Sequence, residues 1–204
     1  VWGRAPHPFP DSLIFQKEIL MRDEEMIEKC VSSETIYEGR ILHVKKDTIE
    51  LPSGKLSMRE YAEHKGAVAI LPLTAEGEVV LVRQYRYAHG RVFLEIPAGK
   101  LDAADEEPYA AAVRELGEEV GVKAGRLTPL GVLVPSCAIL TERIHMFLAE
   151  DLTFGECDPD EDEFLEVVKM PLSSLVNQVM RGEIEDAKTQ ILALKVWQMK
   201  GESK

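Results

Sequence analysis

Apolar positions recur along this chain with two periods, and the switches between them outline its elements. Ala67 to Leu73 and Val79 to Tyr85 are apolar or β-branched runs joined across Ala75-Glu76-Gly77, and Val92 to Ile96 is a shorter run ending at Pro97. Runs of this length bounded by turn residues predict strands. Thr35 to Leu51 and Leu56 to Ala62 have strand character on either side of Pro52-Ser53-Gly54, which predicts a hairpin. The period then lengthens to that of a helix, from about Glu106 to Val120. Pro108 suits the first turn, where its missing N–H would be unpaired in any case, Asp105 or Glu107 can cap that end, and Gly121 is a stop. Leu127 to Val134, Ile144 to Ala149 and Phe164 to Met170 read as further strands, and Leu172 to Arg181 and Ala187 to Met199 as helices.

This order predicts a mixed sheet covered by helices, preceded by a smaller antiparallel β unit. Residues 1–34 are read as an N-terminal extension, disordered or introduced by cloning, 35–64 as the antiparallel unit and 65–204 as the main domain. The first dozen residues hold three prolines and no apolar core of a secretory signal, and Met21 and Met26 are alternative starts.

Composition narrows the partners. The 204 residues are 45% hydrophobic, enough for a sizeable core, and no stretch approaches the apolar length of a membrane-spanning helix. The net charge of −12 argues against a surface that binds nucleic acid by neutralising phosphates. Cys30, Cys137 and Cys157 are widely spaced without a CxxC pair, so neither a disulfide framework nor a zinc site is indicated and a reducing cytoplasm fits. Glu150 to Glu166 holds nine acidic residues and no basic one, a composition expected of a solvated loop.

The chemistry concentrates in GKLDAADEEPYAAAVRELGEEVGV, residues 99–122. At 100° per residue Glu115, Glu118 and Glu119 share about one third of the helix circumference, with Tyr109, Val113, Leu116 and Val120 on the opposite side. Like charges at i,i+3 and i,i+4 repel, so a cation is expected there. Hard oxygen donors without Cys or His suit Mg²⁺, with Mn²⁺ as a substitute. A solvated acidic face would account for a lone Glu-Glu pair, but not for Arg114, Glu106 and the bracketing Gly99 and Gly121 as well. GxSxG, HExxH and P-loop signatures are missing.

The stretch resembles the Nudix box, G, five residues, E, seven residues, then R-E-U-x-E-E-x-G-U with U aliphatic. Arg114, Glu115, Leu116, Glu118, Glu119, Gly121 and Val122 match, and Glu106 lies eight positions before Arg114; six residues rather than five separate Gly99 from Glu106. The runs SMREYAEHKGAVAIL, VRQYR, LEIPAGK, TER, DEDEFLEV and EDAKT extend the resemblance over residues 35–200, towards ADP-ribose pyrophosphatases and related nucleoside-diphosphate-sugar hydrolases.

That resemblance implies a Nudix-type α/β/α sandwich and Mg²⁺-dependent cleavage of a nucleoside diphosphate sugar to a nucleoside monophosphate and a sugar phosphate. It implies metal ligands at Glu115, Glu118, Glu119 and the Ala98 carbonyl, with Arg114 steadying the carboxylates. Arg59 and Arg86 would contact substrate phosphate or ribose and Glu95 would orient the site, the alternative for each being a surface or structural strand role. The water-activating carboxylate falls at Glu142, with Glu163 as the competitor. A homodimer is implied, with Tyr37, Tyr61 and Tyr85 available for stacking on a base. The family's Pro-Gly marker of ADP-ribose is replaced by Cys137-Ala138, which leaves other diphosphate sugars open. The alternatives are a hydrolase of nucleoside triphosphates or dinucleoside polyphosphates, and a module that senses a nucleotide sugar without cleaving it.

Overall fold

The computed structural model describes residues 22–103, 105–158 and 164–202. β1 (Lys29–Glu38), β2 (His43–Glu50) and β3 (Leu56–Glu63) form an antiparallel sheet in that order. β4 (Ala67–Pro72) then enters the main domain, followed by β5 (Glu78–Arg86), β6 (Arg91–Glu95), β7 (Ala98–Lys100) and helix α1 (Pro108–Val120). β8 (Val122–Leu133), β9 (Ile144–Phe154), β10 (Leu165–Pro171), α2 (Leu172–Met180) and α3 (Ala187–Glu202) complete the order. One sheet runs β7-β4-β9-β8, parallel only between β4 and β9; the other runs β10-β5-β6 and is antiparallel.

Alternation along β4 and β5 creates the layers, because successive side chains point to opposite faces. Val68, Ile70, Val80 and Val82 pack with Ala111, Ala112, Leu116 and Val120 of α1. Ala69, Leu71, Val79 and Leu81 pack on the other side with Leu175 and Val179 of α2 and Leu192, Ala193 and Val196 of α3. Strands covered on both faces carry continuous apolar runs, which is why these two were legible. The architecture is the expected α/β/α sandwich with an antiparallel N-terminal unit. Among the described residues no helix is long and apolar enough to cross a membrane.

The run Thr35 to Leu51 is interrupted: Gly39 N–H donates to Leu42 C=O at 2.8 Å, turning β1 into β2. A Cβ on Gly39 would lie 2.6 Å from the exposed Tyr37 ring, which would have to swing aside. β1 starts at Lys29 and pairs Lys29 with Glu50, so the expected boundary between residues 34 and 35 falls inside a strand. Every residue of β1 is exposed, which leaves no apolar alternation to detect. β7 is three residues long and was not predicted, and α1 starts at Pro108 rather than Glu106, with Glu107 at its cap making no side-chain bond.

Gly121 ends α1 at φ 61°, and a Cβ on it would lie 2.7 Å from the Gly155 carbonyl oxygen. Gly54 has φ 78° with open space around it. Gly54→Ala should therefore cost only the left-handed penalty of about 1–2 kcal/mol, and Gly121→Ala clearly more. Urea unfolding of both variants checks this; equal losses would contradict it.

Candidate functional site

The buried arc of α1 is not the one its large side chains suggest. Tyr109 and Val113 are 55% and 49% exposed, whereas Glu115 and Glu119 are 8% and 3% exposed, inward with Ala111, Ala112, Leu116 and Val120. Of the four residues placed opposite the carboxylates, Leu116 and Val120 are buried but Tyr109 and Val113 are not, and two of the carboxylates share the buried side. Two alanines let the helix approach the sheet closely, and one of its carboxylates fits a notch in the backbone. A Cβ at Gly99 would lie 1.8 Å from Glu115 Oε1, so only glycine admits that side chain. Next to it, Ala98 N–H donates to Glu119 Oε2 at 3.0 Å, and Pro97 C=O accepts Ile70 N–H at 2.9 Å, anchoring the turn to β4.

Arg114 balances the carboxylates. Its Nη1 lies 2.8 Å from Glu115 Oε1 and 2.9 Å from Glu118 Oε2, and its Nη2 donates to Lys100 C=O at 3.2 Å. Glu106 Oε1 and Asp102 Oδ2 lie 3.6 and 3.7 Å from the guanidinium, and Glu106 Oε2 accepts Asp102 N–H at 2.6 Å. Partial burial works against the charge of Arg114, but the negative field of Glu115, Glu118 and Asp102 overrides it and holds its pKa above the ordinary value. Glu106 thus fastens the longer loop before α1 to the arginine of the cluster.

Among the described residues no three His, Cys, Asp or Glu side chains converge into a ready-made cage. Glu115, Glu118, Glu119 and the Ala98 carbonyl nevertheless offer only hard oxygen donors, and the notch at Gly99 reserves room for Glu115 beside the backbone. That composition fits a hard divalent cation.

A second charged network borders the first. Glu95, 2% exposed at the end of β6, receives Arg86 Nε at 2.8 Å and Nη2 at 2.9 Å, and Lys188 of α3 on the same carboxylate. Burial pushes the Glu95 carboxyl up, yet the Arg86 fork and the Lys188 charge together hold it below the usual range. Arg86 is raised chiefly by its bond to Glu95, against burial, and the charge of Glu119 adds to this, which links the two networks. Lys188 also meets Asp186 Oδ1 at 2.9 Å. Asp186 caps α3 by accepting Thr189 N–H at 2.9 Å, and Thr189 Oγ1 accepts Ile96 N–H at 2.9 Å. Lys188, Asp186 and Thr189 lie in the EDAKT run but carry no individual role in the sequence reading, although an Asp directly before a helical run is a capping signal.

The remaining expected residues lie elsewhere or are not joined to the cluster. Arg59 on β3 forks onto Glu28, with Nε at 2.9 Å, and among the described residues has no bond to the α1 carboxylates. Glu142 follows a loop tied to β3, where Ala62 N–H donates to Ile139 C=O and Thr141 N–H to Ala62 C=O. Its Oε1 stands 3.6 Å from His64 Nδ1, which already accepts Gly66 N–H at 3.1 Å. Beside it lies a cavity of about 320 Å³ lined in part by His64, Thr141, Arg143, His145 and Glu106. Glu163 lies outside the described residues.

Comparison with known proteins places the chain in a family. Residues 63–194 match the NUDIX domain and residues 28–62 the nucleoside diphosphate sugar hydrolase N-terminal domain. An ADP-ribose pyrophosphatase of Bacillus subtilis (strain 168) is 42% identical over 79% of this chain and 88% of its own. A GDP-mannose pyrophosphatase of Cronobacter sakazakii is 35% identical over 69% of this chain and 77% of its own. The crystal structure of an ADP compounds hydrolase superposes with a TM-score of 0.73 at 26% identity, covering 86% of this chain and 95% of that one. The chain belongs to the NUDIX domain family, and the segment holding its first three strands matches the nucleoside diphosphate sugar hydrolase N-terminal domain.

Proposed function

We propose that this chain hydrolyses the diphosphate of ADP-ribose or a related nucleoside diphosphate sugar, giving a nucleoside monophosphate and a sugar phosphate. The observation that carries this reading is the pair of buried carboxylates Glu115 and Glu119 set against the Ala98-Gly99 backbone and balanced by Arg114. A single guanidinium against Glu115, Glu118 and Glu119 leaves negative charge over, which is costly to bury and which a divalent cation would offset. The N-terminal domain match and the names of the relatives direct the choice of substrate to diphosphate sugars.

Glu115, Glu118, Glu119 and the Ala98 carbonyl are the residues that would hold Mg²⁺, or Mn²⁺ in its place. Such an ion supplies charge neutralisation on the phosphate oxygens and lowers the pKa of bound water. The chain itself contributes the rest. Arg114 keeps Glu115 and Glu118 oriented, and Arg86, held by Glu95, offers a guanidinium suited to phosphate oxygens. Arg59 adds a further phosphate or ribose contact. A loop carboxylate orients the water in line with the anhydride bond and takes its proton as water oxygen bonds to phosphorus and the bridging oxygen leaves with the other phosphate. Glu142 is first in this role and Glu163 second. With Cys137-Ala138 at the marker position, the sugar and base are not restricted to ADP-ribose.

A homodimer through the N-terminal unit is part of the proposal. β1 is exposed throughout, and Val31, Ile36, Tyr37, Leu56 and Met58 present apolar surface on or beside that sheet. Exposed apolar surface of this kind marks association sites. Exposed free Cys30, Cys137 and Cys157 suit a reducing cytoplasm. Sedimentation at the mass of two chains is expected, and a monomer at every concentration would contradict it.

The reaction is tested by incubating the protein with Mg²⁺ and ADP-ribose, GDP-mannose, a nucleoside triphosphate or a dinucleoside polyphosphate, with chromatography of the products. A mononucleotide and a sugar phosphate are expected from a diphosphate sugar. Glu119→Gln keeps an acceptor for Ala98 N–H and should lower kcat about a thousandfold, equivalent to ~4 kcal/mol of barrier, with the thermal midpoint little changed. Glu142→Gln should lower kcat by about 10²–10⁴ and Glu163→Gln by far less; the reverse order would transfer the role to Glu163. Turnover of the triphosphate alone would overturn the substrate assignment.

A further inference from the structure

Lys188 of α3 has no part in the reaction as described, yet it is held among charges with unusual economy. Its ammonium bridges two carboxylates, Glu95 and Asp186. Asp186 is already stabilised at the start of α3, where Thr189 N–H and Oγ1 bond to it and a helix N-terminus favours negative charge. Glu95 has no such support: its oxygens face Arg86 Nε and Nη2 on one side and Lys188 on the other. Arg86 Nη1 makes no hydrogen bond among the described residues, its side chain is 40% exposed, and the field of Glu119 reaches it.

With Arg86 as its sole cation, the buried Glu95 would close a neutral pair, and an incoming phosphate would have to compete with that carboxylate for the guanidinium. A second cation on Glu95 changes this balance. We propose that Lys188 is a positioning residue for substrate recognition: by sharing Glu95 it leaves Arg86 fixed in direction by two parallel bonds while its positive charge stays available to the diphosphate. The same turn of α3 also holds Ile96 N–H through Thr189 Oγ1, two residues before Ala98, so one helix start supports both the arginine and the metal-side turn. The inference rests on the reading that Arg86 meets a phosphate of the substrate.

Titration calorimetry with ADP-ribose in EDTA reads binding apart from turnover, and kcat and KM are measured alongside with Mg²⁺. Lys188→Met should weaken binding about tenfold, the loss of roughly one charge-assisted contact, with KM rising more than kcat falls. Lys188→Arg, which keeps the charge, should stay within about threefold of wild type. The decisive variant is Lys188→Met combined with Glu95→Gln, which removes the carboxylate that would capture Arg86 and should recover most of the lost affinity. A merely structural lysine predicts the opposite, because the double variant loses still more bonds. Wild-type affinity in Lys188→Met, a double variant no better than the single one, or Lys188→Arg as weak as Lys188→Met would each overturn the proposal. Should Lys188→Met fail to fold, the double variant and Lys188→Arg carry the same comparison. Wild-type protein that binds ADP-ribose without cleaving it would defeat the hydrolase reading alone, and protein that binds neither ADP-ribose nor GDP-mannose would defeat both.

Discussion

The contact between Glu115 and the α-hydrogen side of Gly99 sets the terms for the rest of the site. A carboxylate can sit against backbone there because residue 99 has no Cβ, and α1 can come close because Ala111 and Ala112 are small. Burying that charge is unfavourable unless it is compensated. Arg114 supplies compensation from the same helix, the Ala98 N–H does so for Glu119 from the turn, and Pro97 and Ile96 hold the turn to β4 and α3.

Charge balance passes outward from this contact in short steps. The bond to Glu95, and in lesser part the charge of Glu119, favour the protonated Arg86, which is forked onto Glu95, and Glu95 is shared with Lys188 at the start of α3. Two helices on opposite faces of the sandwich thus bear on one patch through β6 and β7. Under the proposed reaction, an acidic chain can accept a polyanionic substrate because Arg86, Arg114 and Lys188 are gathered in one patch rather than spread over a surface.

How much of this was legible depended on what each residue's environment recorded in the sequence. β4 and β5 read clearly because both faces are buried and their runs are continuously apolar, and α1 read clearly from Pro108, Gly121 and the spacing of its glutamates. β1 did not, because its side chains all meet solvent, and β7 is three residues held in place by partners distant in sequence. On α1, Leu116 and Val120 are buried as their spacing suggests, but Tyr109 and Val113 are exposed and Ala111, Ala112, Glu115 and Glu119 share the buried side, an arrangement that size and polarity alone do not record. Arg86 and Glu95 were named from sequence as separate contributors, and the structure joins them directly. Lys188 could not be weighed from sequence, because its significance comes from a carboxylate 93 positions away.

The central claim is that the inward carboxylates of α1 are arranged for a divalent cation shared with a diphosphate. A crystal grown with Mn²⁺ and examined by anomalous scattering tests it most directly. The account predicts an ion about 2.0–2.3 Å from oxygens of Glu115, Glu119 or the Ala98 carbonyl, displacing the Arg114 contact to Glu115, and no ion there in Glu119→Gln. Anomalous density elsewhere with this cluster empty and Arg114 unmoved would contradict it.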